Sequence, residues 1–174
     1  MAEKLRKLFD ERDIREAVKR LGRDISRDFD KEEIVIVSIL KGSFMFVSDL
    51  LREIVNPVVI DFVRAASYGS GTTTCGEVTL TKDLETDIMG KNVIIVEDMI
   101  DSGLTLRSIR DMLLARNPRS LKICALVDKR ARRKVELEGD YVGFTIDDGF
   151  IVGYGIDYAE KYRNLPAIFV REEG

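Results

Sequence analysis

Between residues 11 and 28 the apolar positions Ile14, Val18, Leu21 and Ile25 recur at steps of four, three and four, with mostly charged residues between them. That spacing returns to one side of a 3.6-residue turn and predicts an amphipathic helix. Four later runs, 34–40, 57–63, 93–96 and 121–127, are apolar almost throughout, rich in Ile and Val, and bounded by charged or glycine-containing turns. Runs this short with no polar face predict strands buried on both sides. Helical spacing returns at 43–54 and 104–116. Alternation of strand and helix predicts an α/β fold with a central, mainly parallel sheet flanked by helices. In 43–54, Phe44, Val47, Leu51 and Ile54 share one face, yet Phe46 and Leu50 point away from it. A helix apolar on two sides needs cover on two sides, from a second subunit or from another layer of the same chain.

A length of 174 residues fits one domain, 1–174, and no repeat, low-complexity tract or linker divides it. The part from about 141 to 174 is expected to form a small appended lobe. Charge is abundant but balanced, 28 Lys plus Arg against 31 Asp plus Glu, and the net value of -3 argues against a dedicated nucleic-acid binder. Histidine is absent, which excludes Ser-His-Asp and Cys-His hydrolases and other His-based acid-base or metal chemistry. Proton transfer falls to carboxylates, lysine or tyrosine. Cys75 and Cys124 stand alone, so neither a disulfide framework nor a zinc site is indicated, and a cytoplasmic location is expected. The mixed charges of the first residues predict no targeting segment, and no apolar stretch approaches the ~18 residues that span a bilayer.

The segment 93–105, Val-Ile-Ile-Val-Glu-Asp-Met-Ile-Asp-Ser-Gly-Leu-Thr, reads as a buried strand, three acids near its carboxyl end, and a short loop opening a helix. Ligands of parallel sheets bind outside the carboxyl ends of the strands. Asp101, Ser102, Gly103, Leu104 and Thr105 supply a glycine that admits close backbone approach, two hydroxyls and the free N–H groups of a helix start, which together suit a phosphate. Three carboxylates beside a phosphate repel it unless the ligand also offers sugar hydroxyls or a divalent cation offsets the charge. The predicted ligand therefore carries phosphate and hydroxyls, with Mg2+. Residues 69–76 do not fit Gly-x-Gly-x-x-Gly, and no Gly-x4-Gly-Lys-Ser/Thr loop occurs, so dinucleotide and ATPase readings lose support.

These thirteen residues resemble the 5-phosphoribosyl 1-pyrophosphate signature of type I phosphoribosyltransferases. Further segments resemble the hypoxanthine (hypoxanthine-guanine) branch: Leu40-Lys41-Gly42, Ser67-Tyr68-Gly69, Leu126-Val127-Asp128-Lys129, and Phe150-Ile151 through Asp157-Tyr158 with Arg163 six residues past that aspartate. The resemblance spans roughly 14–169 and implies the type I fold, with a hood lobe over the sheet. It implies Mg2+-dependent transfer of a 5-phosphoribosyl group to N9 of a 6-oxopurine, releasing pyrophosphate and giving IMP or GMP, in a homodimer or homotetramer.

Roles follow from the same resemblance. Glu97 and Asp98 would hold the ribose hydroxyls, directly and through Mg2+, while Asp101 would meet purine N7 as general base. Ser102, Gly103, Leu104 and Thr105 would bind the 5′-phosphate. Leu40, Lys41, Gly42 and Arg163 would bind pyrophosphate, the peptide before the lysine often being cis in the family. Lys129 would donate to purine O6, Phe150 stack on the ring and Ile151 read its far edge through the backbone, with Asp157 beside them as a second Mg2+ contact. A donor at the 6-position excludes adenine as preferred base, since its 6-amino group would meet donor with donor. Ser67, Tyr68 and Gly69 open a small, polar, glycine-rich stretch suited to a mobile lid. Asp147 departs from the proline expected ahead of Asp148 and Phe150, which bears on the set of the purine-edge loop. Two other readings remain at this point: a xanthine- or guanine-preferring relative, and a regulator that reuses the fold to bind nucleic acid. The basic run 129–134 is the only one that could serve the latter, and with an acidic balance it is expected to solvate a turn beside the purine site.

Overall fold

The computed structural model describes residues 4–67 and 78–172. In chain order the elements are β1 (Lys4–Phe9), α1 (Glu11–Asp28), β2 (Ile34–Ile39), α2 (Phe44–Glu53), β3 (Val58–Ser67), β4 (Val78–Lys82), β5 (Asn92–Ile100), α3 (Leu104–Leu114), β6 (Ser120–Lys129), β7 (Tyr141–Ile146), β8 (Ile151–Val152) and β9 (Ile168–Glu172). A six-stranded sheet runs β4-β3-β2-β5-β6-β7, parallel except for β4 against β3.

The apolar runs form strands because alternate residues feed two separate cores. Ile34, Ile36, Ile94, Val96, Cys124 and Leu126 face α1, α2 and the second sheet, whereas Val35, Val37, Val93, Ile95, Ile123 and Ala125 face α3. Helix α1 starts where Asp10 accepts from the N–H groups of Arg12 (2.8 Å) and Asp13 (2.9 Å), and Asp13 accepts in return from the N–H of Asp10 (2.9 Å). Such a reciprocal cap stabilises a helix by about 1 kcal/mol. Gly22 lets α1 cross α2 closely, because a Cβ there would lie 2.5 Å from Cβ of Glu53.

Helix α2 buries Phe46, Val47 and Leu50, with Ile54 just beyond its end, while Phe44 is 40% exposed. The two residues expected to point away from the main apolar face are thus its deepest. The helix packs on α1 and β2, which cover the Phe46 and Leu50 side, while Phe44 on the other side stays exposed. No described helix is long and apolar enough to cross a membrane.

The second sheet is antiparallel, in the order β1-β9-β8, and forms the small lobe. Its composition differs from the expected stretch beginning near 141: Tyr141–Ile146 is the edge of the large sheet, and the lobe recruits the first described strand of the chain. Phe9 of β1 stacks on Phe144 of β7, with ring centroids 3.9 Å apart, and joins the two sheets.

Asp61, buried in β3, accepts from the N–H groups of Phe62 (2.7 Å), Glu85 (2.8 Å) and Thr86 (2.7 Å) and so fixes the turn that leads into β5. Burial works against its charge, but these donors outweigh it and hold the carboxyl below its usual range. A depressed folded-state pKa contributes stability above the unfolded value near 4 that is lost as pH falls through the folded one. Asp61→Asn is therefore expected to cost about 1–3 kcal/mol at pH 7 and to narrow the gap between urea midpoints at pH 7 and pH 3. An unchanged gap would exclude Asp61 from the acid response.

Candidate active site

Strand β5 runs on through Ile100, so Glu97 and Asp98 belong to the strand rather than to the loop after it. The N–H of Asp98 donates to Oε1 of Glu97 at 3.0 Å. Burial, and then the adjacent Asp98 charge, push the Glu97 carboxyl well above the usual range. No described lysine or arginine pairs with either acid. Gly42 adjoins Asp98 from the turn after β2: a Cβ on it would meet the Asp98 carboxylate, so a side chain there would have to displace that group. The peptide Leu40-Lys41 is cis. Behind Gly42 stands Gly155, at φ 97°, where a Cβ would be 2.3 Å from the Gly42 carbonyl oxygen.

Past the strand, Ser102, Gly103, Leu104 and Thr105 lead into α3. Gly103, at φ 80°, is the N-cap residue, and no side chain caps the helix. The N–H of Leu104 reaches Oγ of Ser102 at 3.4 Å, and the first full helical bond is that of Arg107 to the Gly103 carbonyl at 2.9 Å. The N–H groups of this first turn, with the positive end of the helix dipole, face a cavity of about 140 Å³ lined by Glu97, Met99, Ile100, Asp101, Ser102, Gly103, Thr105 and Leu106. That is an anion cradle rimmed by carboxylates.

Asp101 presents one oxygen to Nη1 of Arg132 at 3.6 Å, while its buried Oδ1 has no hydrogen-bond partner among the described residues. In the β5–β6 register Ile100 pairs with Asp128, which brings the neighbouring Asp101 and Lys129 to adjacent strand ends. Lys129 is 2% exposed. Burial pulls its ammonium below the usual lysine range, and the Asp101 charge works the other way. No described residue hydrogen-bonds or ion-pairs with that ammonium. A strand-end lysine in solvent would show neither feature.

Most of the run 129–134 is the exposed turn expected from its charge, with Arg130, Ala131, Arg132 and Lys134 at the surface, but Arg133 is not. Only 15% of the Arg133 side chain is exposed; it pairs with the buried Asp128 and donates to the carbonyls of Asp101 (3.2 Å) and Leu137. The N–H of Lys134 donates to the Ser102 carbonyl at 2.9 Å. Arg133 therefore ties the acidic loop to the end of β6, a role its place in a basic run concealed.

On the far side of Gly42, Arg163 donates through Nη1 to the Gly155 carbonyl (2.8 Å) and through Nη2 to Asp157 Oδ1 (2.8 Å). Glu160, which sequence reasoning missed, reaches both Lys41 (2.9 Å) and Arg163 (3.4 Å). Lys41 and Arg163 are thus brought together. Among the described residues no three acids are close enough to hold a metal as a group, so Glu97 and Asp98 do not share one cluster with Asp157. The first two adjoin, while Asp157 is engaged by Arg163.

Phe150, 44% exposed, meets Tyr158 edge-on with centroids 5.2 Å apart, and Arg171 covers that tyrosine ring at 4.1 Å. Ile151 is buried in β8, paired with Val170. Asp147 occupies an exposed bend after β7, outside the sheet. Ser67 ends β3; Tyr68 and Gly69, with the rest of the lid stretch, lie outside the described residues.

A family model described as "Phosphoribosyl transferase domain" matches residues 5–159. The hypoxanthine phosphoribosyltransferase of Salmonella typhimurium is 50% identical over 160 residues, covering 91% of this chain and 90% of that protein. The hypoxanthine-guanine phosphoribosyltransferase of Aquifex aeolicus is 44% identical over 171 residues, 98% of this chain and 96% of its own. A crystal structure of a hypoxanthine-guanine phosphoribosyltransferase from Bacillus anthracis aligns with a TM-score of 0.90 at 52% identity, over 99% of this chain and 100% of that one.

Proposed function

The chain belongs to the phosphoribosyltransferase family, and from that premise we propose that it is a purine-salvage enzyme. It transfers the 5-phosphoribosyl group of 5-phosphoribosyl 1-pyrophosphate to N9 of hypoxanthine, and of guanine, releasing pyrophosphate and forming IMP or GMP. The observation that carries the residue assignments is the meeting, at adjacent strand ends, of an Asp101 oxygen without a partner, a buried Lys129 and the uncapped start of α3.

On this reading the first-turn N–H groups of α3 and the hydroxyls of Ser102 and Thr105 bind the 5′-phosphate. Glu97 and Asp98 accept from the ribose hydroxyls. As the C1′–oxygen bond to pyrophosphate breaks and the bond from N9 forms, positive charge develops at C1′, and the nearby carboxylates stabilise it. Asp101 Oδ1 takes the N7 proton of the purine as N9 becomes the bonded nitrogen. Lys129 donates to O6, Phe150 stacks on the ring, and the leaving pyrophosphate meets Lys41 and Arg163. Two adjoining carboxylates with hard oxygen donors and no cationic side chain suit a divalent cation. Glu97 and Asp98 would hold Mg2+ together with substrate oxygens, and when bound it would neutralise charge on the pyrophosphate. The enzyme on this reading is cytoplasmic and a homodimer or homotetramer.

Incubation with 5-phosphoribosyl 1-pyrophosphate, Mg2+ and each of hypoxanthine, guanine, xanthine and adenine tests the function by the nucleotide formed. IMP and GMP are expected, and preferential XMP or AMP would overturn the base assignment. Lys129→Met keeps the stem and removes the donor to O6. An unmet buried acceptor costs about 1–3 kcal/mol, equivalent to roughly 5- to 150-fold. The variant should lose kcat/KM for hypoxanthine and guanine together and discriminate less against adenine, with binding of the sugar phosphate nearly unchanged. Retained preference would assign the 6-position to backbone or water.

A further inference from the structure

We propose that Glu160 is an internal anion that occupies the pyrophosphate subsite in the ligand-free enzyme and competes with pyrophosphate for Lys41 and Arg163, an inference that rests on the reading of those two cations given above. Its carboxylate lies 2.9 Å from Nζ of Lys41 and 3.4 Å from Nη2 of Arg163. These cations come from distant parts of the chain, Lys41 from the turn after β2 and Arg163 from the segment between β8 and β9. An acid that bridges them stands where a leaving dianion would be neutralised.

The backbone aims it there. Ala159 and Glu160 both adopt the left-handed region, at φ 50° and 64°, which residues other than glycine rarely enter, and the N–H of Glu160 donates to Asp157 Oδ2 at 2.8 Å. A tight turn is thereby locked with the carboxylate on Lys41 and Arg163. Arg163 is arranged for a second acceptor as well: its Nε is buried with no hydrogen-bond partner among the described residues, although both Nη atoms are engaged.

The contact is also weak enough to be displaced. The side chains of Lys41 and Glu160 are 47% and 64% exposed, and exposed ion pairs contribute little to stability. Pyrophosphate, with more charge and more acceptors, replaces Glu160 on both cations, and Glu160 in turn lowers the cost of letting pyrophosphate go.

The test is binding of inorganic pyrophosphate with Mg2+ to the intact enzyme by calorimetry, with KM for 5-phosphoribosyl 1-pyrophosphate alongside. Glu160→Gln should bind pyrophosphate roughly two- to five-fold more tightly, with KM lowered in the same direction and the gain shrinking at high salt. Glu172→Gln, which makes the same charge change in the Lys4 and Arg6 pairs of β1 and β9, should leave both constants unaltered. Equal or weaker binding in Glu160→Gln would make the acid a support of the turn and overturn the proposal, as would an equal gain in Glu172→Gln. Failure of the unaltered enzyme to bind pyrophosphate would instead remove the subsite reading, and the proposal with it.

Discussion

Asp101→Asn is expected to slow the chemical step by roughly 10² to 10⁴, the range for a lost general acid or base. The substitution keeps size and shape and removes the oxygen that would take the N7 proton. That oxygen is buried and without a hydrogen-bond partner among the described residues, while the other faces Arg132 at 3.6 Å. The Arg133 bond goes to the backbone carbonyl of Asp101 and is indifferent to the change, so the loop should hold its position. Single-turnover measurement under saturating 5-phosphoribosyl 1-pyrophosphate isolates the step from product release. Affinity for the sugar phosphate should change little, since the first turn of α3 and Glu97 with Asp98 provide for it. A second consequence concerns Lys129, whose ammonium is lowered by burial and raised by the Asp101 charge. Without that charge it loses its proton at lower pH, and the alkaline limb of kcat/KM for hypoxanthine should move to lower pH. A wild-type single-turnover rate would remove Asp101 from the role of base.

Removal of divalent cations should abolish turnover, and added Mg2+ should restore it. Glu97 and Asp98 lie side by side with no described cation beside them, and burial with their mutual repulsion already lifts the Glu97 carboxyl. A substrate carrying a phosphate and a pyrophosphate would add negative charge to that pair, and Lys41 and Arg163 stand on the far side of Gly42 with their own acids. Only a cation brought with the substrate balances this arrangement. Dialysis against EDTA followed by assay with and without Mg2+ gives the answer, and a full rate without metal would overturn the assignment of Glu97 and Asp98 as metal-holding residues. Because Asp157 is turned toward Arg163, Asp157→Asn should raise the Mg2+ concentration for half-maximal rate far less than Glu97→Gln does.

The alternating strands and helices were legible in the local pattern because each run of four to ten residues carries its own period and its own burial, and 34–39, 92–100 and 120–129 meet both demands within themselves. The phosphate loop was legible for the same reason. Strand, glycine turn and helix start are contiguous, so the order of Ser102, Gly103, Leu104 and Thr105 between strand and helix is readable locally, although Arg133 and Lys134 also hold the loop from the end of β6. Glu97, Asp98 and Asp101 stood out as acids near the carboxyl end of a strand, whereas Lys129 was named only through the family resemblance, since a strand-end lysine by itself reads as solvent-exposed. What tertiary structure alone decided is pairing across the chain. β1 gives no sign in Lys-Leu-Arg-Lys-Leu-Phe that its partner is β9 at the opposite end, and α2 does not declare which of its apolar sides lies deepest. Arg133 looks like any member of a basic run until Asp128 and two carbonyls enclose it, and the space that Gly42 leaves is filled by Asp98 only because that acid arrives from another strand. Sequence period encodes which residues share a face; which face meets which, and which charge finds which partner, is set when the sheet closes and the small lobe folds over it.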